Sequence, residues 1–276
     1  MDDLAATDAP DTVVLIHGLW LTPDTWQPWV ARFESTGMKV LAPAWPGMEG
    51  EVDEVRHNTE RYERLGVTEI ADHYESVIRG LDRPPVIMGH SFGGLLTEIL
   101  LDRGLGAAGV AISPAPMKGI RVLPYSALKV ASVALRNPAN RHRAVALTPD
   151  EFRYGFGNTL SEEESRKAYD RYAVPGPGRV LFQAALANVD PRAATKVDTK
   201  NGARAPLLLV GAGHDHTVPA SVTRSAYKLE QKSSAPTELK EYPQRSHWTC
   251  VQDGWESVAD HALDWAREHA GRRAAA

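Results

Sequence analysis

Val86-Ile87-Met88-Gly89-His90-Ser91-Phe92-Gly93-Gly94-Leu95-Leu96 is the stretch that decides how this chain folds. A short apolar run enters a G-x-S-x-G pattern, and residues 92–101 continue as a second apolar run long enough for a helix. That order predicts a strand, a sharp turn and a helix. A serine at the apex of such a turn takes a positive φ. The residues two before and two after it pass close to neighbouring backbone, so glycine suits positions 89 and 93. The helix starting beyond the serine aims the positive end of its dipole at negative charge that develops there. Ser91 is thus a candidate nucleophile, and a hydroxyl near neutral pH needs a base beside it.

Outward from this stretch, short apolar runs alternate with segments of helical period. Residues 13–16, 40–41, 86–88, 110–112, 207–210 and 238–242 read as strands. Trp26, Trp29, Val30 and Phe33 repeat with helical spacing, as do Ile70, Tyr74, Val77, Ile78 and Leu81, and residues 255–265 close the chain as a helix. The alternation predicts an α/β fold with a mostly parallel sheet and helices on both faces. Between residues 114 and 204 strand signals vanish, and pieces at 149–156, 161–172 and 179–188 read as short helices separated by turns. The expected division is a core of residues 11–114 and 204–269 with a helical cap inserted over 115–203. Residues 48–66 are polar and read as a surface loop, with its closing as a lid left open; the Ala- and Arg-rich end after residue 270 is expected to fray.

The base is sought among ten histidines. His247 follows the last strand and precedes the last helix, which puts it at the carboxyl edge of the sheet, where open α/β sheets bind ligands. Asp215 follows the fifth strand and suits the third role, fixing the tautomer of the base and stabilising its cation. The competing role for Asp215 is to cap the helix after Pro219. His214 and His216 flank it, but alternate positions on a short loop without a cysteine or acidic cluster do not make a metal site.

His17-Gly18, Pro46-Gly47, the 89–93 turn, Asp215 with Val218-Pro219, and His247-Trp248 stand in the order and spacing that resemble the α/β-hydrolase superfamily, in its serine esterase and lipase-like form with a helical cap. The resemblance spans residues 11–114 and 204–269. Ala44 departs from it, since many relatives carry an acidic residue two before the Pro-Gly. What the resemblance implies is a Ser91, His247 and Asp215 triad in the superfamily's chain order, and an oxyanion hole from the N–H groups of Leu19, with Trp20 as alternative, and Phe92. His17 is then structural. The implied reaction is hydrolysis of a carboxylic ester, or related acyl compound, of a small, moderately hydrophobic molecule through an acyl-enzyme on Ser91, with no cofactor and no metal. Same-fold lyases, carbon–carbon hydrolases, perhydrolase-like haloperoxidases, cofactor-free dioxygenases and small-molecule receptors stay open as alternatives. Trp20, Tyr154, Phe156 and Trp248 are the candidate substrate-binding residues, with Asn158 and Phe182 beside them in the cap.

Composition narrows the partners. A net charge of −4 with no block of five or six like charges excludes a broad nucleic-acid-binding field. Cys250 is the single cysteine, so no intrachain disulfide can form. Residues 1–11 are acidic and lack the pattern of an export signal, and no run approaches 18 apolar residues, so a soluble cytoplasmic protein acting on a small molecule is expected, without a membrane span and with its oligomeric state open.

Overall fold

The computed structural model describes residues 9–270. The expectations for residues 1–8 and for the end after residue 270 lie outside them. The strands are β1 (Thr12–Ile16), β2 (Lys39–Leu41), β3 (Val86–His90), β4 (Ala108–Ile112), β5 (Ala144–Val145), β6 (Gly176–Pro177), β7 (Leu207–Ala212) and β8 (Thr237–Tyr242). The helices are α1 (Gln27–Glu34), α2 (Val52–His57), α3 (Val67–Arg79), α4 (Phe92–Asp102), α5 (Tyr125–Leu135), α6 (Pro149–Gly155), α7 (Glu162–Tyr172), α8 (Gly178–Leu186), α9 (Ala220–Glu230) and α10 (Trp255–His269).

Six strands form one sheet in the order β2-β1-β3-β4-β7-β8, and every pair in it is parallel. Parallel neighbours need crossovers that lay helices on the faces, so the inner strands are buried on both sides and read as continuous apolar runs. Val14, Ile16, Ile87 and Leu209 meet α3, α4 and α9 on one face. Val13, Leu15, Met88, Leu208 and Val210 meet α1 and α10 on the other. All six strands end at the same edge, and the loops that leave them there carry the candidate site.

Between β4 and β7 the chain runs through α5 to α8. Thr148 and Ser161 open α6 and α7 with reciprocal capping boxes to Glu151 and Glu164, which explains why helices begin there. Helix α5 was not among the segments expected from sequence. Nor was the antiparallel ribbon in which β5 pairs with β6, inside a stretch that carries no strand signal. This segment lies over the carboxyl edge of the sheet. The Trp20 indole N–H donates to the Val145 carbonyl at 2.8 Å, Val174 N–H to the Trp20 carbonyl at 3.0 Å, Thr217 Oγ1 to the Gly155 carbonyl at 2.8 Å, and Trp248 N–H to the Phe156 carbonyl at 3.2 Å.

Residues 48–66 are not a plain surface loop. They form α2 and a 3-10 turn at Thr59–Arg61, with Val55 and Tyr62 buried. The Arg56 guanidinium donates to the carbonyls of Tyr169, Asp170 and Ala173 at 3.2, 2.6 and 2.8 Å. One of its polar residues, Arg56, thus satisfies carbonyls at the C-terminal end of α7, while Glu49 and Glu54 pair with Arg61 at the surface.

Candidate active site

Ser91 leaves β3 with φ +58 and ψ −120, one of three non-glycine residues of positive φ among those described. Its N–H donates to the Ile112 carbonyl at 2.9 Å, prolonging the β3–β4 ladder, and its carbonyl accepts from Gly94, Leu95 and Ala115. A Cβ on Gly89 would overlap the Gly93 carbonyl, and one on Gly93 would overlap the Ile16 carbonyl. The glycine requirement read from the sequence is thus a steric fact of the turn. Gly18 runs against the same point, where a Cβ would stand 2.9 Å from Ser91 Cβ. The Leu19 N–H follows directly on that close approach. Phe92 is the first residue of α4, so its N–H is one of those that an α-helix leaves without an intrahelical partner.

Asp215 and His247 meet across the loops after β7 and β8. His247 Nδ1 lies 2.6 Å from Asp215 Oδ2, and both side chains are fully buried. The other carboxylate oxygen, Oδ1, accepts the N–H groups of Thr217 and Val218 at 2.8 and 2.7 Å. Asp215 therefore holds the imidazole and the turn that leads toward α9 at once, but it does not cap that helix, whose N-cap is Pro219 without a side-chain hydrogen bond. His247 Nε2 is buried and has no hydrogen-bond partner among the described residues. Phe156 and His247 meet nearly perpendicular with their ring centroids 4.8 Å apart, and the His90 ring lies 4.5 Å from that of His247. Burial first, then the nearness of His247, pushes His90 well below the usual histidine range.

Ser91 opens on a cavity of about 300 Å³. Leu19, Trp20, Phe92, Thr217, Val218 and Val222 form its wall on the core side, and residues of 115–135 and 181–188 form the rest. Its only polar side chains are those of Ser91, Asn188 and Thr217 apart from the Trp20 indole, and no charged residue lines it. Of the candidate substrate-binding residues, Trp20 is in this wall. Tyr154, Phe156 and Trp248 are not. Tyr154 packs on His216 at 4.7 Å beneath the Lys129 ammonium, Phe156 stacks on Phe152, and Trp248 packs against Phe152 and Tyr172. Asn158 donates to the His214 carbonyl at 2.9 Å, and Phe182 is also outside the wall. Among the wall residues that sequence reasoning missed, one set runs along α5 from its N-cap. Pro124, Ala127, Leu128, Ala131 and Leu135 recur at intervals of three, four and seven, a helical stripe legible in the sequence.

His17 is at the foot of the site. Its Nδ1 lies 2.9 Å from the Gly18 carbonyl, and its Nε2 accepts the Trp45 N–H at 3.2 Å. Those partners select the neutral Nδ1–H tautomer, and burial pushes its pKa down to about 4. Among the described residues no group of three or more His, Cys, Asp or Glu is arranged to hold a metal ion, and no helix is long and apolar enough to cross a membrane.

The sequence model of the Alpha/beta hydrolase family matches residues 13–261. No curated protein sequence matches the chain. Among solved structures, it is similar to a Paleococcus ferrophilus monoacylglycerol lipase, with 21% identity over 95% of this chain and 97% of that one at a TM-score of 0.63. It is also similar to an extracellular alpha/beta-hydrolase from a Paenibacillus species, with 20% identity over 93% and 99% at a TM-score of 0.68. A thermophilic esterase from Thermogutta terrifontis matches with 16% identity over 95% and 92% at a TM-score of 0.66. Likeness at such identities is a likeness of fold.

Proposed function

The chain belongs to the alpha/beta hydrolase family, and from that premise we propose that it is a serine esterase acting on neutral, apolar carboxylic esters. The observation that carries this is Ser91 on its strained turn at the wall of a cavity without a charged residue. Such a wall favours an acyl or alcohol group with no charge of its own, because a charge brought there would lose its hydration without a partner. His247 takes the Ser91 proton through Nε2 as the hydroxyl attacks the ester carbonyl. Asp215 keeps Nδ1 protonated and stabilises the imidazolium. The N–H groups of Leu19 and Phe92 receive the oxyanion. His247 then returns the proton to the leaving alcohol, and water activated by the same nitrogen releases the acid from Ser91. In this proposal residues 115–203 act as a cap that sets the substrate's shape. An unpartnered buried Nε2 supports the role of base, since apo sites often leave the catalytic hydrogen bond unmade.

The test is a p-nitrophenyl ester series from acetate to long acyl chains, run with the Ser91→Ala variant and with fluorophosphonate labelling of both proteins. Turnover and labelling that disappear together in Ser91→Ala are the expected outcome. Labelling without turnover of any ester would move the reaction to another chemistry of the same fold, and absence of labelling would remove Ser91 as nucleophile.

A further inference from the structure

Among the described residues seven large apolar side chains are exposed, and six of them fall in two stretches. Val122, Leu123, Tyr125 and Leu128 are at the start of α5, and Leu186 and Val189 are at the end of α8. Leu123 is 70% exposed, and Tyr125 and Val189 are each 79% exposed. The two stretches are fastened together. The Gly119 N–H donates to Asn188 Oδ1 at 2.8 Å, Asn188 Nδ2 to the Ile120 carbonyl at 2.8 Å, and Lys118 Nζ to the Asp190 carbonyl at 2.5 Å. Val122, Leu123 and Leu128 also line the cavity that Ser91 opens on, so the patch is the rim of its mouth. A contiguous apolar rim of this kind marks a surface that functions against something other than water.

Charge identifies the occupant. Between Pro114 and Pro149 the chain has six lysines and arginines and no acidic residue, although its net charge is −4. Arg121, Lys129 and Arg136 are exposed beside or along α5, and α8 carries no acid; its one cation, Arg179, is paired with Glu69 at 2.6 Å. Asp190 borders the patch, where its carboxylate accepts the Arg192 N–H. A second copy of this chain, meeting the patch about a two-fold axis, would set these cations against their own equivalents. An anionic surface would neutralise them, and an apolar stripe edged by cations is the composition that rests in a bilayer's headgroup layer.

We propose that this face docks on an anionic lipid bilayer. The apolar rim enters the headgroup layer, the flanking cations meet lipid phosphates, and esters dissolved in the lipid enter the cavity without crossing water. Docking stands independently of the esterase reading; the delivery of esters rests on it.

The experiment uses the full chain carrying Ser91→Ala, so that turnover cannot alter the lipid. It is pelleted with sucrose-loaded vesicles of phosphatidylcholine alone or of phosphatidylcholine and phosphatidylglycerol in equal parts. Binding to the mixed vesicles is expected to be about tenfold tighter than to phosphatidylcholine alone and to weaken with salt. The double variant Tyr125→Asp with Val189→Asp, neither residue lining the cavity, should lose about tenfold or more of that binding. With Ser91 restored, the same double variant should hydrolyse a soluble short-chain ester at the unmodified rate. No pelleting with either vesicle, or equal pelleting of the double variant, would overturn the proposal. So would sedimentation equilibrium finding a dimer that the double variant dissociates, since the rim would then be a self-interface. Lipid binding that the double variant abolishes in a protein without esterase activity would leave the docking surface standing and remove the esterase.

Discussion

His17 illustrates how neighbours fix a single protonation state. The neutral ring uses both nitrogens, one donating to Gly18 and one accepting from Trp45, and stacks on the Trp45 indole at 5.0 Å. A second proton on Nε2 would face the Trp45 N–H, so protonation is incompatible with this packing. The unfolded histidine binds its proton near pH 6.5 and the folded one near 4, so across that window the unfolded state holds more protons. The stabilisation is complete above pH 6.5 and is lost as pH falls toward 4, by about 3 kcal/mol for this residue. His90 adds a loss of the same sign. Urea midpoints are therefore expected to fall from pH 7 to pH 4.5. His17→Gln, whose amide oxygen can accept the Trp45 N–H, should flatten that dependence. An equal slope in the variant would assign the pH sensitivity elsewhere.

Helix α4 starts directly after the Ser91 turn and carries a buried carboxyl further along. Glu98 is buried, and neither of its carboxyl oxygens has a hydrogen-bond partner among the described residues. Arg204 contacts Glu230 at 3.1 Å, donates to Thr237 Oγ1 at 2.6 Å and to the Ala205 carbonyl at 3.0 Å, and so is committed to α9 and the start of β8. Burial first, and then the Glu230 carboxylate, push Glu98 well above the usual carboxylate range. The folded protein keeps a proton that the unfolded chain gives up above about pH 4.5, so this residue costs stability increasingly as pH rises from there. Glu98→Gln should raise the urea midpoint at pH 8 and change it little at pH 4.5. Equal destabilisation at both pH values would instead mean that Glu98 is ionised and paired with Arg204.

At the scale of the molecule, the core and the segment over it are coupled through Trp20. This residue has φ +66, lines the cavity, and ties the loop after β1 to the β5–β6 ribbon through its indole N–H, and to Val174 just before that ribbon's second strand through its carbonyl. A Cβ on Gly176 in that ribbon would come within 2.6 Å of Leu19 Cδ1. Trp20→Phe keeps an aromatic wall and removes only the bond to Val145. If that bond positions the proposed Leu19 donor, kcat for a soluble ester should fall several-fold with KM little changed, and stability should drop by about 1 kcal/mol. A loss of stability at unchanged kcat would make the bond structural alone.

Local chemistry determined the parallel sheet, the Ser91 turn and the residues of the buried Asp215–His247 pair. Continuous apolar strands, glycines beside a strained serine, and loop histidines and aspartates at strand ends each follow from constraints that act within a few residues. The tertiary structure alone decided that residues 48–66 fold, because Arg56 finds its partners more than a hundred positions away. It alone chose Trp20 over Tyr154, Phe156 and Trp248 for the cavity wall. Aromatic residues enter a cap core and a cavity wall for the same reason, loss of water, so sequence cannot separate the two destinations. The stripe on α5 could be read from its period, but that period says only that one face is buried, and the segment's docking over Ser91 turned that face into a cavity wall.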